Sequence, residues 1–428
     1  MPVDEVKDTD VLVVGGGMVG AALAAALAGD FAGHGLTITV VDADSPATAR
    51  PAAPSSVHDI EPRVSALTLA TQTLLANLGA WAHLSPARCG GYTRMEVWDA
   101  DGTGSIGFDA AETGTATLGW IVENREVAAA LHATCLAHAN IHWRAPARVA
   151  SFTRDGGRWH VVLDDGSRWS ARLLVGADGA QSQVREQAGF DTRAREYRQH
   201  ALVATVGTER PHGGCARQRF MPDGPLAFLP LADGTADSRY CSIVWSTSPE
   251  EAARLLALDD AAFVRELGGA LEGRLGSVTA VSRRASLPLV ERHAVHYVQD
   301  GVVLVGDAAH TVHPLAGQGV NLGFLDAATL AEELARNLAR GLPFDEPQAL
   351  RRYERRRRLH NTLMQKSFAG FKVLFGEHRL PVRWLRNTGM SLLDRSPPLK
   401  VLVARQAMGL DGDLPARCRP AVRGSHLL

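Results

Sequence analysis

The sequence predicts an α/β fold: a discontinuous, Rossmann-like parallel-sheet domain, an inserted β-sheet domain and a C-terminal helical segment. Three observations predict it. Three short apolar runs, at 10–14, 173–176 and 302–305, lie far apart in the chain. Short continuous runs of this kind suit strands buried on both faces of a parallel sheet. Alternating, turn-rich stretches separate them, and beyond Gln348 the chain is helical, basic and then apolar.

The elements follow in order. Asp10–Val14 is a strand, Gly15 to Gly20 a turn, and the alanine-rich stretch from Ala21 to Ala28 a helix. A second strand, Leu36 to Val41, ends in Asp42, completing a βαβ unit of about 30 residues. Residues 43–62, rich in Ala, Pro and Ser, read as loop, and Val64 to Leu78 as helix. Met95–Asp99 and Ser105–Asp109 alternate around Asp101-Gly102, a hairpin signal. Glu126–Ala139 is helical, and Arg158–Leu163 with Ser167–Leu174 gives a second hairpin. His200–Trp245 is strand-like, Pro249–Leu271 helical, and Asn321–Leu338 a helix. The expected partition is 1–75, 120–185 and 285–345 for the parallel-sheet domain. Residues 76–119 and 186–284 form the second domain, and 346–428 the helical segment.

Composition narrows the class. The chain has 428 residues, 46% hydrophobic and 21% charged, as in an ordinary globular protein. Its 45 basic and 46 acidic residues leave a net charge of -1, so no global basic field exists for gripping nucleic acid. Cys89, Cys135, Cys215, Cys241 and Cys418 are scattered, without a C-x-x-C pair, which argues against zinc and disulfides and for a reducing, cytoplasmic setting. His132 with His138, and His293 with His296, have poor spacing for a metal. The acidic start, with Asp4, Glu5 and Asp8, is unlike a signal peptide, and no run of about 18 apolar residues exists to span a membrane.

The chemistry starts at Gly15-x-Gly17-x-x-Gly20. Gly15 permits the tight turn, Gly17 lets a pyrophosphate approach the backbone, and Gly20 allows close helix–strand packing. The helix start presents free N–H groups to phosphate, and Asp42 stands where an acid binds ribose hydroxyls. Only one such fingerprint exists, so either NAD is the sole cofactor or FAD is bound and a nicotinamide docks transiently. Gly306-Asp307-Ala308-Ala309-His310, followed by residues 314–321 opening a helix, favours FAD. A strand-end carboxylate can accept hydrogen bonds from ribityl hydroxyls, and a helix start can face the flavin pyrimidine edge.

Gly15-x-Gly17-x-x-Gly20, Asp178-Gly179 and Gly306-Asp307 together resemble the three motifs of flavin aromatic hydroxylases of the p-hydroxybenzoate hydroxylase fold. Residues 313–323 resemble the ubiquinone-biosynthesis hydroxylases. Segments 95–99, 118–124, 200–205, 241–246 and 405–410 look closest to the 2-octaprenylphenol hydroxylases. The resemblance implies an FAD-dependent monooxygenase that uses NAD(P)H and O2, via a flavin C4a-hydroperoxide, to hydroxylate the ring of a polyprenylphenol. It assigns Gly15, Gly17 and Gly20 to the FAD pyrophosphate, Asp42 to the adenosine ribose and Arg63 to the FAD phosphate region. Asn124 and Arg125 fall at a flavin-contacting position; Asp178 and Gly179 fall near the pyrophosphate and the nicotinamide path. Asp307 would hold the ribityl chain, and Pro314, Gly317, Gln318, Gly319 and Asn321 the isoalloxazine. His310 and His313 are candidates for the base that deprotonates the phenol. Alternatives are a later ring position such as that of the demethoxy intermediate, a flavin reductase of prenyl double bonds, and a non-turnover flavin scaffold among other ubiquinone-biosynthesis proteins.

A polyprenyl substrate needs a lipid route. The basic run Arg351-Arg352-Tyr353-Glu354-Arg355-Arg356-Arg357-Arg358, with the apolar segment 368–375, could rest on anionic headgroups as a peripheral contact on the inner membrane face, or form a solvated face and a packed helix.

Overall fold

The computed structural model describes residues 6–49, 52–100, 104–311, 319–376, 387–390 and 392–420; for 367–376 it gives the backbone path. Two sheets organise the chain. The first has five parallel strands in the order Val302–Leu304, Arg168–Gly176, Lys7–Val14, Ile38–Val41, Ile141–Arg144. Arg158–Leu163 and Val149–Asp155 extend it as an antiparallel appendage. The helices Met18–Ala32 and Gly319–Leu338 pack against one another, and Met18–Ala32 also against Asn124–Leu136. Met18–Ala32 buries ten of its residues, mostly alanine, which let its backbone approach its neighbours closely.

Register is what builds the site. Val14 lies level with Val41 and with Gly176, and Gly176 with Leu304. The loops that follow therefore leave one edge of the sheet together. Gly15, Asp42, Asp178 and Asp307, distant in sequence, meet at the carboxyl ends of the strands, where open α/β sheets bind ligands.

The second sheet runs His310–Thr311, Ala285–Ala294, Thr192–Thr208, Tyr240–Thr247, Gly224–Pro230, Cys215–Met221, Arg94–Asp99, Ser105–Asp109, with Val278–Val281 also on Thr192–Thr208. Both expected hairpins form. Strand alternation splits its faces: Leu202 and Ala204 join an apolar core with Phe228, Ile243 and Phe263, while Ala201, Val203 and Val244 look toward the first domain. Trp98 and Trp245 belong to that core.

Three sequence expectations need correction. Val64–Leu78 is not one helix. Val64–Leu67 pairs with Gly119–Glu123 in a three-stranded sheet, and Thr68 then caps the helix Leu69–Asn77. Tertiary pairing overrides local propensity there. Pro249–Leu271 is two helices, Pro249–Ala257 and Asp260–Ala270, because the Asp259 side chain caps the second by accepting from Ala262 N. The strand Ala285–Ala294 pairs along Thr192–Thr208 in the second sheet, so it goes with 186–284 rather than with 285–345.

The arginine run is not a uniformly solvated basic face. Arg352 pairs with Glu333, Arg356 with Glu332, Glu333 and Asp413, and Arg357 is buried against Asp326. Segment 368–375 lies where only the backbone path is described. No helix among the described residues is long and apolar enough to cross a membrane.

Candidate functional site

The glycine loop is tight where the sequence requires it and open where a ligand must enter. Gly15 has φ +102°, and a Cβ on it would lie 2.3 Å from the Ala177 carbonyl oxygen. A Cβ on Gly20 would lie 1.9 Å from the Gly15 carbonyl oxygen. Around Gly17 nothing lies within 4 Å. Gly17 caps the helix Met18–Ala32 without a side-chain hydrogen bond, and the first turn carries no acid, so its N–H groups face the open side. Asp42 braces the loop, accepting from Gly16 N through Oδ2 and from Asp44 N at 2.8 Å through Oδ1.

Beside the loop lies a cavity of about 490 Å³. Gly17, Arg63, Asn124, Gly179, Asp307 and Gly319 all line it. The opposite wall is apolar and comes from the second sheet: Ala201, Val203, Val244, Leu287 and Leu289. Asp307 projects into this space from the Gly306–Ala308 turn, where Gly306 has φ +61°. The carboxyl is exposed to the cavity yet ringed by protein, and burial raises its pKa; His310 and Arg63 oppose the rise and Asp326 adds to it.

The remaining expected residues divide. Arg125 donates from Nε to the Thr48 carbonyl at 3.0 Å and is not among the cavity residues. Asn124 accepts from Ser65 Oγ at 2.6 Å. Asp178 Oδ2 accepts from Val184 N at 3.1 Å, while its Oδ1 is buried without a partner among the described residues, as is Thr311 Oγ1 on the cavity wall. Asn321 is not among the cavity residues. It accepts from Thr71 Oγ1 at 2.7 Å and Thr68 N at 3.1 Å and donates to the Ala66 carbonyl at 2.8 Å. It ties the helix Gly319–Leu338 to the strand Val64–Leu67. His310 is 1% exposed and bonds Asp326 through Nε2 at 2.5 Å, which suits a positioning role rather than a solvent-facing base. His313, Pro314, Gly317 and Gln318 lie outside the described residues.

Sequence reasoning missed the support beneath Asp307. Asp326, fully buried, accepts from Gly306 N, His310, Arg357 and Asn361. Burial alone would raise its pKa, but His310 and Arg357 outweigh it and hold the carboxylate well below the usual range. A second buried pair, Arg88–Glu123 at 2.6 Å, anchors the strand Gly119–Glu123, and Glu123 also accepts from Glu61 N at 2.7 Å. The available signal for Asp326 was an acid on the apolar face of a helix, a position that demands a partner.

These parts suit FAD. The glycines leave room for a pyrophosphate, Asp178 Oδ1 and Thr311 Oγ1 await donors or acceptors, and Asp307 stands at a strand end. Fold and site define an FAD-binding α/β protein whose second sheet roofs the cofactor cavity. Residues 8–367 match the family described as "FAD binding domain". The 3-demethoxyubiquinol 3-hydroxylase of Escherichia coli K12 is 39% identical over 94% of this chain and 99% of its own. The ubiquinone hydroxylase UbiL of Rhodospirillum rubrum is 38% identical over 94% and 90%, and the human ubiquinone biosynthesis monooxygenase COQ6 34% over 91% and 90%. Among solved structures, p-nitrophenol 4-monooxygenase from Pseudomonas putida superposes with a TM-score of 0.74 at 19% identity, covering 94% of this chain and 99% of its own. The chain belongs to the FAD binding domain family, in the branch that holds the hydroxylases of ubiquinone biosynthesis.

Proposed function

We propose that this protein hydroxylates the aromatic ring of a polyprenylated intermediate of ubiquinone biosynthesis, using NAD(P)H and O2. The observation that carries the reading is the cavity itself: a cofactor loop and Asp307 on one side, an apolar wall on the other. When bound, FAD supplies the electron transfer and oxygen activation that such a hydroxylation requires.

The chain's own part is binding, orientation and exclusion of water. Gly17 and the helix start at Met18 would hold the pyrophosphate, with Gly15 and Gly20 fixing the loop around it. Asp42 would reach the adenosine ribose with its unused lone pairs. Arg63, Asn124 and Gly179 would line the phosphate and nicotinamide side. Asp307 would accept from ribityl hydroxyls. Gly319 would meet the flavin ring. Ala201, Val203, Val244, Leu287 and Leu289 would pack the substrate ring and the start of its tail and keep water out.

For the ring position, the segments at 95–99, 200–205 and 241–246 point to a 2-polyprenylphenol. The similarity to the E. coli 3-demethoxyubiquinol 3-hydroxylase favours a second reading, the demethoxy intermediate. Deleting the gene in its host and identifying the accumulated precursor by mass spectrometry separates them. An unhydroxylated polyprenylphenol supports the first; a methoxylated, partly oxidised ring supports the second. An unchanged quinone profile, together with no substrate-stimulated oxygen uptake by the purified protein, refutes both.

A further inference from the structure

A second cavity, of about 530 Å³, lies farther along the strand Ala285–Ala294, against the helix Pro347–Gly376. Two periodicities aim at it. On Thr192–Thr208, Arg193 and Arg195 are two residues apart and share a face. They stand level with His293 and Glu291 on the neighbouring strand, which share that face too. On the helix, Arg358, Thr362, Gln365 and Lys366 fall at i, i+4, i+7 and i+8, one stripe. All of these residues line the cavity.

The charge is unbalanced. Four cations, Arg193, Arg195, Arg358 and Lys366, face one carboxylate, Glu291. That carboxylate already accepts from the Tyr197 hydroxyl. Arg358 donates one nitrogen to the Val295 carbonyl at 2.8 Å and lies 3.9 Å from Glu354, which leaves most of its guanidinium free. Arg195 rests over the Tyr197 ring at 5.8 Å. Arg193 and Lys366 form no ion pair among the described residues. The floor is polar: His293 bonds Gln365 through Nδ1, and the His293 Nε2 meets the Tyr297 hydroxyl at 2.9 Å.

We infer that this cavity is a binding site for a phosphate-bearing anion, separate from the FAD cradle. Converging cations on a preformed polar floor are what phosphate recognition needs: the three guanidinia offer planar donors and Lys366 a mobile point charge. A carboxylate ligand, with fewer acceptor oxygens and less charge, is less well matched to four cations. The phosphate could belong to a soluble nucleotide or to a lipid headgroup. The inference does not rest on the proposed reaction.

The test uses the FAD-saturated protein, so that the glycine loop is filled. Inorganic pyrophosphate is titrated by calorimetry at low salt. Saturable binding is expected, weakening roughly tenfold in Arg193→Ala and again in Lys366→Ala, and weakening as salt rises. Both side chains are exposed, and unchanged melting temperatures would show that the fold is intact. Displacement of pyrophosphate by 2′,5′-ADP identifies a nucleotide as the source. Flotation with phosphatidylglycerol vesicles but not phosphatidylcholine vesicles, lost in both variants, identifies a lipid headgroup. No saturable binding, or binding equal in wild type and both variants, overturns the inference.

Discussion

Replacing Asp326 with Asn tests how the Asp307 turn is held. The two carboxylate oxygens divide four donors. Oδ2 accepts from Gly306 N at 3.0 Å and His310 Nε2 at 2.5 Å; Oδ1 accepts from Arg357 Nε at 2.8 Å and Asn361 Nδ2 at 3.1 Å. An Asn keeps the shape and loses one acceptor. Whichever way its amide turns, the NH2 meets a donor that cannot reverse its role, Gly306 N on one side or Arg357 Nε on the other. Arg357, 1% exposed, is also left without a counter-charge. Breaking a buried pair from one side costs about 3–5 kcal/mol. Asp326→Asn should therefore lose about 4 kcal/mol in urea unfolding followed by far-ultraviolet circular dichroism. Because Asp326 grips Gly306 N, FAD affinity should fall as well, roughly tenfold or more by fluorescence titration. The double variant Asp326→Asn with Arg357→Met removes the stranded charge and should regain about 1–3 kcal/mol. A single-variant loss below about 1 kcal/mol, or a double variant less stable than the single one, would refute the reasoning.

Other outcomes follow from the same geometry. Asp307→Ala should purify with little FAD while keeping its circular dichroism spectrum; normal flavin content would remove the assigned contact. Gly17→Ala should fold normally and bind FAD weakly, since open space surrounds it, whereas Gly20→Ala should unfold about 1–3 kcal/mol more easily because its Cβ would strike the Gly15 carbonyl. Equal behaviour of the two in melting experiments would contradict that contrast. Ala201→Phe should fill the apolar wall and abolish substrate-stimulated oxygen uptake without loss of FAD, measured by absorbance and an oxygen electrode. His360 is pushed down to about 4 by burial, with Arg357 adding to the effect. The unfolded chain, with a histidine pKa of about 6.5, binds more protons between those values. The stability contributed at His360 should therefore fall as pH drops from about 6.5 and level off below about 4, and His360→Gln should remove up to about 1.4 kcal/mol per pH unit from the slope in that window.

Local chemistry made the cofactor loop legible. Gly15, Gly17, Gly20 and Asp307 are short-range features, each adjoining an apolar strand, and the cavity brings Gly17, Arg63, Asn124, Gly179, Asp307 and Gly319 together. What stayed hidden depends on partners far along the chain. Asn321 sits in a flavin-like motif, yet its amide is committed to Thr68, Thr71 and Ala66. Arg352, Arg356 and Arg357 look like a surface run until Glu333, Asp413 and Asp326 are folded against them. Val64–Leu67 has no strong strand signal of its own and becomes a strand because Gly119–Glu123 offers it a ladder. Pairwise complementarity of this kind is not written in any one segment.

The level carboxyl ends of the parallel strands also set a timetable. Gly15 is made well before Asp307 and the helix Gly319–Leu338 leave the ribosome. Until then the early strands lack a neighbour at one edge, and the tie from Asn321 to Ala66 does not exist. The cofactor pocket is thus completed only once the helix Gly319–Leu338 has been made. Free flavin at that moment would bind the native form alone and draw folding forward by mass action. Cells short of flavin should accumulate less of this protein, not merely less of its activity.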